Sequence, residues 1–381
     1  MTEVVIVAAK RTPFGRFLGS LTEFSAVDLA SEAANAALLD LDRKLIDLVV
    51  LGNVLSAGLG MNIARQVAVR LGLPIEVPSF TINMMCASGL QAVLLAAQAI
   101  RAGDVKAVLC GGTESMSNAP YLLSKARRGY KLGDGTLVDS LLHDGLVDSF
   151  DHTHMGLSAE TLAREFRITR LEQDEFAVRS QVRFAVAFQS SVFDDELVPV
   201  GPLKQDEHPR ADTTIEKLTT LKPAFSASGT VTAGNASGIN DGAAMLLVAD
   251  HKFARQQGWP VLARLAGGTT QGCDPVRMGL GPVHAVRKLC LNHGWNIDQF
   301  DTVEINEAFA VQSLACQREL NLNPGRVNVN GGAIAVGHPI GASGARLAVH
   351  LAHRIASGVI EQGLAALCVG GGMGIAAAFT K

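Results

Sequence analysis

Cys86 stands in a setting that suits a nucleophile. The segment TINMMCASGLQAV, residues 81 to 93, places it just before a predicted helix that starts at Ser88. A thiol in that position feels the positive end of the helix dipole and the unpaired first-turn N–H groups, which lower its pKa and favour the thiolate. The small residues Ala87 and Gly89 leave room for a bulky reactant. The alternative is that Cys86 is a small buried hydrophobe, the commonest role of a free cysteine.

His338 and Asn306 are polar residues that could assist such a thiol. His338 lies in the loop GGAIAVGHPIG, residues 331 to 341, a rigid and open setting rather than an apolar face, although a lone histidine is more often structural. Asn306 begins the segment NEAFA, where a buried strand is predicted to turn into a helix. Its amide either caps that helix or orders a water molecule or a histidine in a site.

Cys368 begins the glycine-rich segment CVGGGMG, residues 368 to 374. A phosphate-binding loop would lead into a helix, whereas the strand-like segment IAAAF follows here. The glycines are therefore better explained by backbone held close to a ligand, with exposed N–H groups for an oxyanion.

His152 and His154 have the HxH spacing found in some metal sites. No third ligand lies in obvious register with them, so the sequence predicts no metal site.

The first third of the chain alternates between strand-like and helix-like segments. The predicted strands cover residues 4–8, 48–51, 79–82 and 107–110, and the predicted helices cover residues 25–40, 62–71 and 88–101. This alternation favours an α/β fold with a mostly parallel sheet.

An internal repeat predicts that the α/β unit is duplicated. Residues 87–112 match residues 342–371, and residues 46–54 resemble residues 300–308 in type and in place. In this match Cys86 corresponds to Gly341, and Cys110 is the counterpart of Cys368. Cys110 is then the structural cysteine, although the sequence alone allows the reverse. Packing of the two copies about a pseudo-twofold axis would bring both helix starts, and so Cys86 and His338, to one centre.

The segment from Ser115 to about Asn240 breaks the pattern and looks inserted. It has loop-like glycines and two helical stretches, residues 158–167 and 171–191, and the capping box Thr169 to Glu172 opens the second. We predict an N-terminal half over residues 1–115, completed by about residues 240–260, an inserted loop domain over residues 116–239, and a C-terminal half over residues 261–381.

Composition excludes several classes of protein. The 381 residues are 48% hydrophobic and 18% charged, which is enough apolar material for a large core and argues against disorder. The net charge of -3 gives no general attraction to nucleic acid or to a membrane surface. The six cysteines form no CxxC pair and are expected to be reduced thiols. The N-terminus lacks the order of a signal peptide, so we expect a cytoplasmic protein.

Seven motifs together resemble the thiolase family, in order and in spacing, over nearly the whole chain. They are CASG (86–89), CGGTESMS (110–117), HMG (154–156), GTVTAGNASGINDGAA (229–244), NEAFA (306–310), NGGAIAVGHPIGASGAR (330–346) and CVGGGMG (368–374). The resemblance implies the duplicated five-layer αβαβα thiolase fold with a loop domain inserted in the first half. It also implies acyl transfer between thiols, joined to formation or cleavage of the carbon–carbon bond of a 3-oxoacyl-CoA.

The resemblance also implies roles for individual residues. Cys86 would be the nucleophile, His338 its base, and Cys368 the acid and base at the substrate α-carbon. Asn306 would hold a water that forms one oxyanion hole with His338, and the N–H groups of Cys86 and Gly370 would form another. Claisen chemistry develops charge on two carbonyl oxygens, which is consistent with two sets of donors.

Coenzyme A would lie along the inserted domain as part of the substrate, with no further cofactor. Ser237 matches the family position that contacts pantetheine, and Arg210 and Phe225 belong to a stretch that resembles the nucleotide-contacting one. The residues predicted as pocket walls are His154, Met155, Ile239, Met278 and Phe309. The family suggests a homodimer, or a homotetramer built through the loop near residues 121–135.

The sequence also allows other functions. Length and loops favour acetyl-CoA acetyltransferases, but Met84 and Met85 beside the nucleophile leave open a 3-ketoacyl-CoA thiolase of broader chain length. A decarboxylating condensing enzyme should have histidine or asparagine in place of Cys368. A redox protein would use Cys86 and Cys368 as a reversible pair, and a non-catalytic CoA-binding paralogue would have lost one of the four chemical residues, all of which are present.

Overall fold

The computed structural model describes residues 2–381. Its strands are β1 (Val4–Arg11), β2 (Gly15–Arg16), β3 (Leu48–Gly52), β4 (Ser79–Ile82), β5 (Ala107–Ser115), β6 (Tyr121–Leu122), β7 (Val138–Asp139), β8 (Asn240–Asp250), β9 (Ala263–Gly272), β10 (Thr302–Ile305), β11 (Gln362–Val369) and β12 (Met373–Thr380). Its α-helices are α1 (Ala26–Ala37), α2 (Ile63–Arg70), α3 (Ser88–Ala102), α4 (Met155–Glu165), α5 (Arg170–Gln189), α6 (Ile215–Thr219), α7 (His251–Gln256), α8 (Gly281–His293), α9 (Ala310–Glu319), α10 (Ala333–Val336) and α11 (Ser343–Ala356).

The predicted elements of the first third all form, with bounds that shift by a few residues. Helix α5 begins with the predicted capping box, in which Thr169 and Glu172 exchange side-chain and backbone hydrogen bonds. These local signals were readable because capping satisfies N–H groups that have no partner within the helix.

The main sheet is mixed, so the prediction of a mostly parallel sheet is wrong. Its strand order is β10-β11-β12-β9-β1-β8-β5-β3-β4, with β2 paired to β8. Within residues 2–381 only β3–β4, β3–β5 and β10–β11 pair in parallel. The long strands β8 and β9 pair antiparallel with β5 and β12, and a buried apolar run in the sequence does not reveal the direction of pairing.

The chain packs in five layers, as the predicted fold class requires. Helices α3 and α11 pack against each other in the middle layer, between the β1–β8–β5–β3 part of the sheet and the β9–β12–β11 part. Helices α1 and α2 cover the outer face of the first part, and α8 and α9 cover that of the second. The two parts join where β1 pairs with β9 over two residue positions, Val5 and Ile6. Strands buried on both faces explain the near-continuous apolar runs.

The register of the strands corrects one detail of the internal repeat. Asp47 accepts hydrogen bonds from two backbone N–H groups at the start of β5, and Asp301 does the same at the start of β11. With these starts aligned, Cys110 is the fourth residue of its strand and Cys368 the seventh. The counterpart of Cys368 is therefore Thr113, and the pairing with Cys110 was wrong. The similarity of residue types between the repeats predicted the wrong pairing, because strand register depends on where hydrogen bonding between the strands begins.

The segment predicted as an insertion lies between two neighbouring strands. Strand β5 ends at Ser115, and its antiparallel partner β8 starts at Asn240. The intervening residues supply α4, α5 and α6 and the small β6–β7 hairpin. One segment, Met85–Ala102, is long and apolar enough to cross a bilayer by composition, and it is mostly buried as α3 in the middle layer.

Candidate active site

A cavity of about 500 Å³ opens where the inserted segment meets both halves. Eleven of the thirteen sequence-predicted site residues line it: Cys86, His154, Met155, Arg210, Phe225, Ser237, Ile239, Met278, Phe309, His338 and Cys368. The other two, Asn306 and Gly370, lie directly behind the lining, where they contact His338 and Cys86 respectively. The fold thus gathers residues from distant parts of the chain around one space.

Cys86 sits on a tight turn between β4 and α3. Met85 adopts a left-handed backbone conformation with φ of 49°, which is costly for a non-glycine residue and needs support from its surroundings. Ser88 gives that support, because its hydroxyl accepts a hydrogen bond from Met84 N–H at 2.8 Å and donates one to the carbonyl of Met85 at 2.7 Å. The turn directs a 5%-exposed Cys86 into the cavity.

The protonation state of Cys86 differs from the sequence expectation. Burial raises the pKa of the Cys86 thiol to about 11, although a hydrogen bond from the backbone N–H of Gly370 acts in the opposite direction. The helix start was expected to lower this pKa, but desolvation of the charged sulfur has a larger effect than the stabilisation by the nearby N–H groups. Cys86 therefore rests as a neutral thiol and needs a base.

His338 is held in the tautomer that such a base requires. Its Nδ1 lies 2.6 Å from the hydroxyl of Ser343, and that hydroxyl donates its own proton to the carbonyl of Pro339 at 2.8 Å. Ser343 must therefore accept from Nδ1–H, which leaves Nε2 as the unprotonated nitrogen. Burial lowers the pKa of His338 to about 4, so the imidazole is neutral near pH 7. The amide nitrogen of Asn306 lies 3.4 Å from Nε2.

Cys368 lies near the end of β11, on the face opposite the middle layer. It packs with Met155, Met278 and Phe309 in one apolar cluster. Burial raises the pKa of its thiol well above the usual range, and a nearby charged Cys86 would raise it further. The two thiols are therefore close enough to interact, and both line the same cavity.

Aromatic and polar groups shape the rest of the cavity. His154 stacks on Phe225 with ring centroids 4.5 Å apart, and Phe225 meets Phe309 edge to face at 6.1 Å. The N–H of Ser237 donates to the carbonyl of Ala308 at 3.0 Å, which ties the inserted segment to the loop before α9. The backbone N–H of Arg210 donates to the Gln181 side chain at 2.9 Å.

Sequence reasoning missed part of the cavity wall. The additional lining residues include Arg16, Phe17, Met116, His208 and Ile340. Burial lowers the pKa of His208 to about 4, with the neighbouring Arg210 contributing in the same direction. The position of His208 two residues before Arg210 was a usable signal, whereas Arg16 and Phe17 come from the N-terminal loop, which only the tertiary structure brings to this place.

Two family models cover almost the entire chain. The model for the thiolase N-terminal domain matches residues 4–252, and the model for the thiolase C-terminal domain matches residues 259–381. The chain belongs to the thiolase family. The predicted fold class is thereby confirmed together with the family.

Similar proteins agree with this membership. An acetyl-CoA acetyltransferase of Pseudomonas aeruginosa is 50% identical to this thiolase over 387 residues, which cover 99% of this chain and 98% of the relative. An acetyl-CoA acetyltransferase of Escherichia coli is 49% identical with the same coverage. The crystal structure of human mitochondrial 3-ketoacyl-CoA thiolase in complex with CoA has a TM-score of 0.97 and 43% identity, over 100% of this chain and 98% of the human one.

Proposed function

We propose that this thiolase is an acyltransferase that catalyses the reversible conversion of acetoacetyl-CoA and CoA into two molecules of acetyl-CoA. The observation that carries the proposal is the meeting of two thiols and a neutral imidazole in one cavity, Cys86, Cys368 and His338. The names of relatives about 50% identical over their full length support the acetyl group as the acyl unit.

In the first half-reaction, Cys86 takes the acyl group. Nε2 of His338 removes the thiol proton as the sulfur attacks the C3 carbonyl of acetoacetyl-CoA. The bond between C2 and C3 then breaks, and Cys368 donates a proton to C2. The products are acetyl-Cys86 and one acetyl-CoA.

In the second half-reaction, free CoA takes the acetyl group. The Cys368 thiolate removes the proton of the CoA thiol, whose sulfur attacks the acetyl-Cys86 carbonyl. Cys86 leaves as a thiolate and recovers its proton from His338. Every group returns to its starting protonation state, so the cycle is balanced in either direction.

Two donor sets stabilise the oxyanions in this scheme. The Gly370 N–H is directed at the Cys86 sulfur and so lies beside any carbonyl bonded to it, together with the N–H of Cys86 itself. Nε2 of His338, once protonated, and a water held by Asn306 serve the second carbonyl. Asn306 lies 3.4 Å from that nitrogen, which supports this pairing.

CoA thioesters are the substrates, and the proposal requires no separate cofactor. The pantetheine arm would pass Ser237 and the stacked pair His154 and Phe225, all of which line the cavity. The nucleotide end would lie toward Arg210, whose charge suits phosphate groups.

The acyl-chain range separates the proposal from its alternative. A broader 3-ketoacyl-CoA thiolase of fatty-acid degradation is favoured by the likeness to the human enzyme of that name, whereas the names of the bacterial relatives favour the acetyl unit. The test is thiolysis measured by loss of 3-oxoacyl-CoA at increasing chain length. We expect kcat/KM to be highest for acetoacetyl-CoA, and an optimum at eight carbons or more would replace the proposal with the alternative.

Assembly as a homodimer or homotetramer in the cytoplasm completes the proposal. Strand β4 at the sheet edge is only partly buried, with Phe80 exposed, and exposed apolar residues around the β6–β7 hairpin include Tyr121, Leu132 and Leu137. Unpaired edges and apolar patches of this kind are usually covered by a partner. Light scattering after gel filtration gives the subunit number, and cell fractionation gives the location.

A further inference from the structure

Glu114 is a buried carboxylate beneath the floor of the active site. It lies near the end of β5 with no exposed surface, opposite Gly242 of β8. Burial raises its pKa to about 7. A carboxylate is rarely kept in such a place unless every oxygen lone pair has a donor.

Four N–H donors from two separate loops converge on Glu114. Its Oε2 accepts from the backbone N–H of Val54 at 3.0 Å and of Gly341 at 2.9 Å. Its Oε1 accepts from the backbone N–H of Leu55 at 3.0 Å and from the side-chain amide of Asn53 at 2.8 Å. All four are donors, which is the environment that an ionised carboxylate requires.

The two loops are those that flank the reacting groups. Val54 and Leu55 follow β3 and share an apolar cluster with Cys86. Gly341 closes the loop that begins at His338, and its neighbour Ile340 lies in the same cluster with Cys86. Glu114 is therefore a bridge between the floor under the nucleophile and the loop that carries the base.

The loop from His338 to Gly341 is held at both ends by hydrogen bonds to side chains from the other half of the molecule. At its start the backbone N–H of His338 donates to Asn240 of β8 at 2.9 Å, and at its end Gly341 donates to Glu114. A Cβ atom on Gly341 would lie 2.6 Å from Oε2 of Glu114, so glycine is needed for this close approach. The loop cannot shift without loss of one of these bonds.

We propose that Glu114 is a positioning residue for acyl transfer, which fixes the distance between His338 and Cys86 by holding Gly341, Val54 and Leu55 on one carboxylate. The inference rests on the proposed function, since it concerns the efficiency of proton transfer from the Cys86 thiol. Displacement of a reacting group by about 1 Å can cost up to about 100-fold in rate.

Glu114→Gln tests the proposal. The amide keeps the volume but turns one acceptor into a donor, which must face an N–H group. We expect kcat for acetoacetyl-CoA thiolysis to fall about tenfold or more, with KM changed less than about threefold. Alkylation of Cys86 by iodoacetamide at pH 8 needs only the thiolate, and the charge of Glu114 raises the pKa of that thiol. Alkylation should therefore be unchanged or faster in the variant.

Gly341→Ala provides an independent variant of the same contact. Its added Cβ would lie 2.6 Å from Oε2 of Glu114 and 2.7 Å from the carbonyl oxygen of Thr113, so it should displace the carboxylate together with the strand end that carries it and lower kcat. The double variant should lose less than the product of the two single losses. Asp250→Asn is the matched control, since Asp250 is a buried carboxylate that caps α7 and stays outside the cavity lining.

The outcomes separate this inference from the proposed function. A wild-type protein without thiolysis would overturn the proposed function, and the inference with it. An active wild type with normal kcat in Glu114→Gln would overturn the inference alone. The inference would also fail if kcat and the alkylation rate of folded Glu114→Gln fell together, because that result indicates a general distortion of the nucleophile.

Discussion

At the scale of single residues, the resting site is a neutral thiol beside a neutral imidazole. Burial raises the pKa of Cys86 to about 11 and lowers that of His338 to about 4, so the separated charges are disfavoured until a substrate arrives. The position of Cys86 before a helix was predictable from its neighbours. Its protonation state was not, because burial depends on chain segments that come from the inserted domain and from the other half.

Alkylation of Cys86 should report this neutral state. We expect the rate with iodoacetamide to rise about tenfold per pH unit from pH 7 toward 10, since only the thiolate reacts and its fraction grows up to the pKa. Mass spectrometry of the Cys86 peptide gives the rate, and the fully buried Cys110 should stay unmodified while the protein is folded. A rate that is already constant above pH 7 would indicate a preformed thiolate–imidazolium pair.

Cys368→Ser should separate the two thiol roles. A hydroxyl is a far weaker acid and base than a thiol, so proton transfer at the substrate α-carbon should slow by about 100-fold or more. Acylation of Cys86 by acetyl-CoA should persist, because His338 activates Cys86 and the CoA thiolate is a good leaving group even without a proton from residue 368. Exchange of acetyl-CoA α-protons for deuterium measures the first, and trapping of acetyl-Cys86 measures the second. Normal exchange in the variant would remove Cys368 from its proposed role.

At the scale of elements, the start of each central helix organises the chemistry. The Ala-Ser-Gly starts of α3 and α11 were readable from the sequence, and Ser88 and Ser343 both make structural hydrogen bonds there. The strand register was harder to predict. The sequences of β5 and β11 look alike around Cys110 and Cys368, but these cysteines lie three positions apart relative to the starts of their strands. Pairing direction was also mispredicted, since a buried apolar run looks the same in parallel and antiparallel strands.

Ser343→Ala should weaken the hydrogen bond by which the start of α11 orients the His338 ring. Without the hydroxyl, Nδ1–H loses its acceptor and the ring can adopt the other tautomer or rotate, so we expect kcat to fall about tenfold for one lost hydrogen bond. KM for acetyl-CoA should change little, because Ser343 is absent from the cavity lining. Steady-state kinetics measure both, with Ser31→Ala in α1 as a control that loses only a hydrogen bond to Val27. Unchanged kcat would show that packing alone orients His338.

At the scale of the whole molecule, a buried ionic network joins the two halves to the inserted segment. Arg11 of β1 donates a hydrogen bond to the carboxylate of Glu196 at 2.7 Å. It donates two more to the two carboxylate oxygens of Asp206, at 2.7 and 2.9 Å. Glu196 also lies 3.0 Å from Nδ1 of His350 in α11. Asp206 shortly precedes His208 and Arg210 in the chain, and both of these line the cavity. Nothing in local sequence predicted this network, because Arg11 and His350 are each separated by more than 100 residues from the carboxylates that they contact.

Arg11→Ala should destabilise the fold strongly. It leaves two buried carboxylates without their partner, which typically costs about 3–5 kcal/mol of the free energy of unfolding. Urea unfolding at pH 7, followed by tryptophan fluorescence, measures the loss. Arg70→Ala, which removes an exposed ion pair with Asp28, should cost less than about 1 kcal/mol. Similar midpoints for the two variants would contradict the account.

The loss in Arg11→Ala should depend on pH. Burial by itself would raise the pKa of Glu196, but the charges of Arg11 and His350 hold it well below its usual value. A lowered carboxyl pKa stabilises the fold fully above the unfolded value of about 4.5, and this contribution is lost progressively as pH falls from that value toward the lower pKa of the folded state. We therefore expect the difference between wild type and variant to shrink on acidification from pH 5 to 3. A difference that stays constant would mean that Glu196 carries no charge at pH 7.

The most direct test of the central claim is to incubate the purified protein with acetyl-CoA and locate the acetyl group by peptide mass spectrometry. We expect a single adduct on Cys86, which disappears when free CoA is added and is absent from a folded Cys86→Ala variant. Failure to label Cys86 in a folded, reduced protein, or an adduct on Cys368 instead, would contradict the assignment of Cys86 as the acyl carrier.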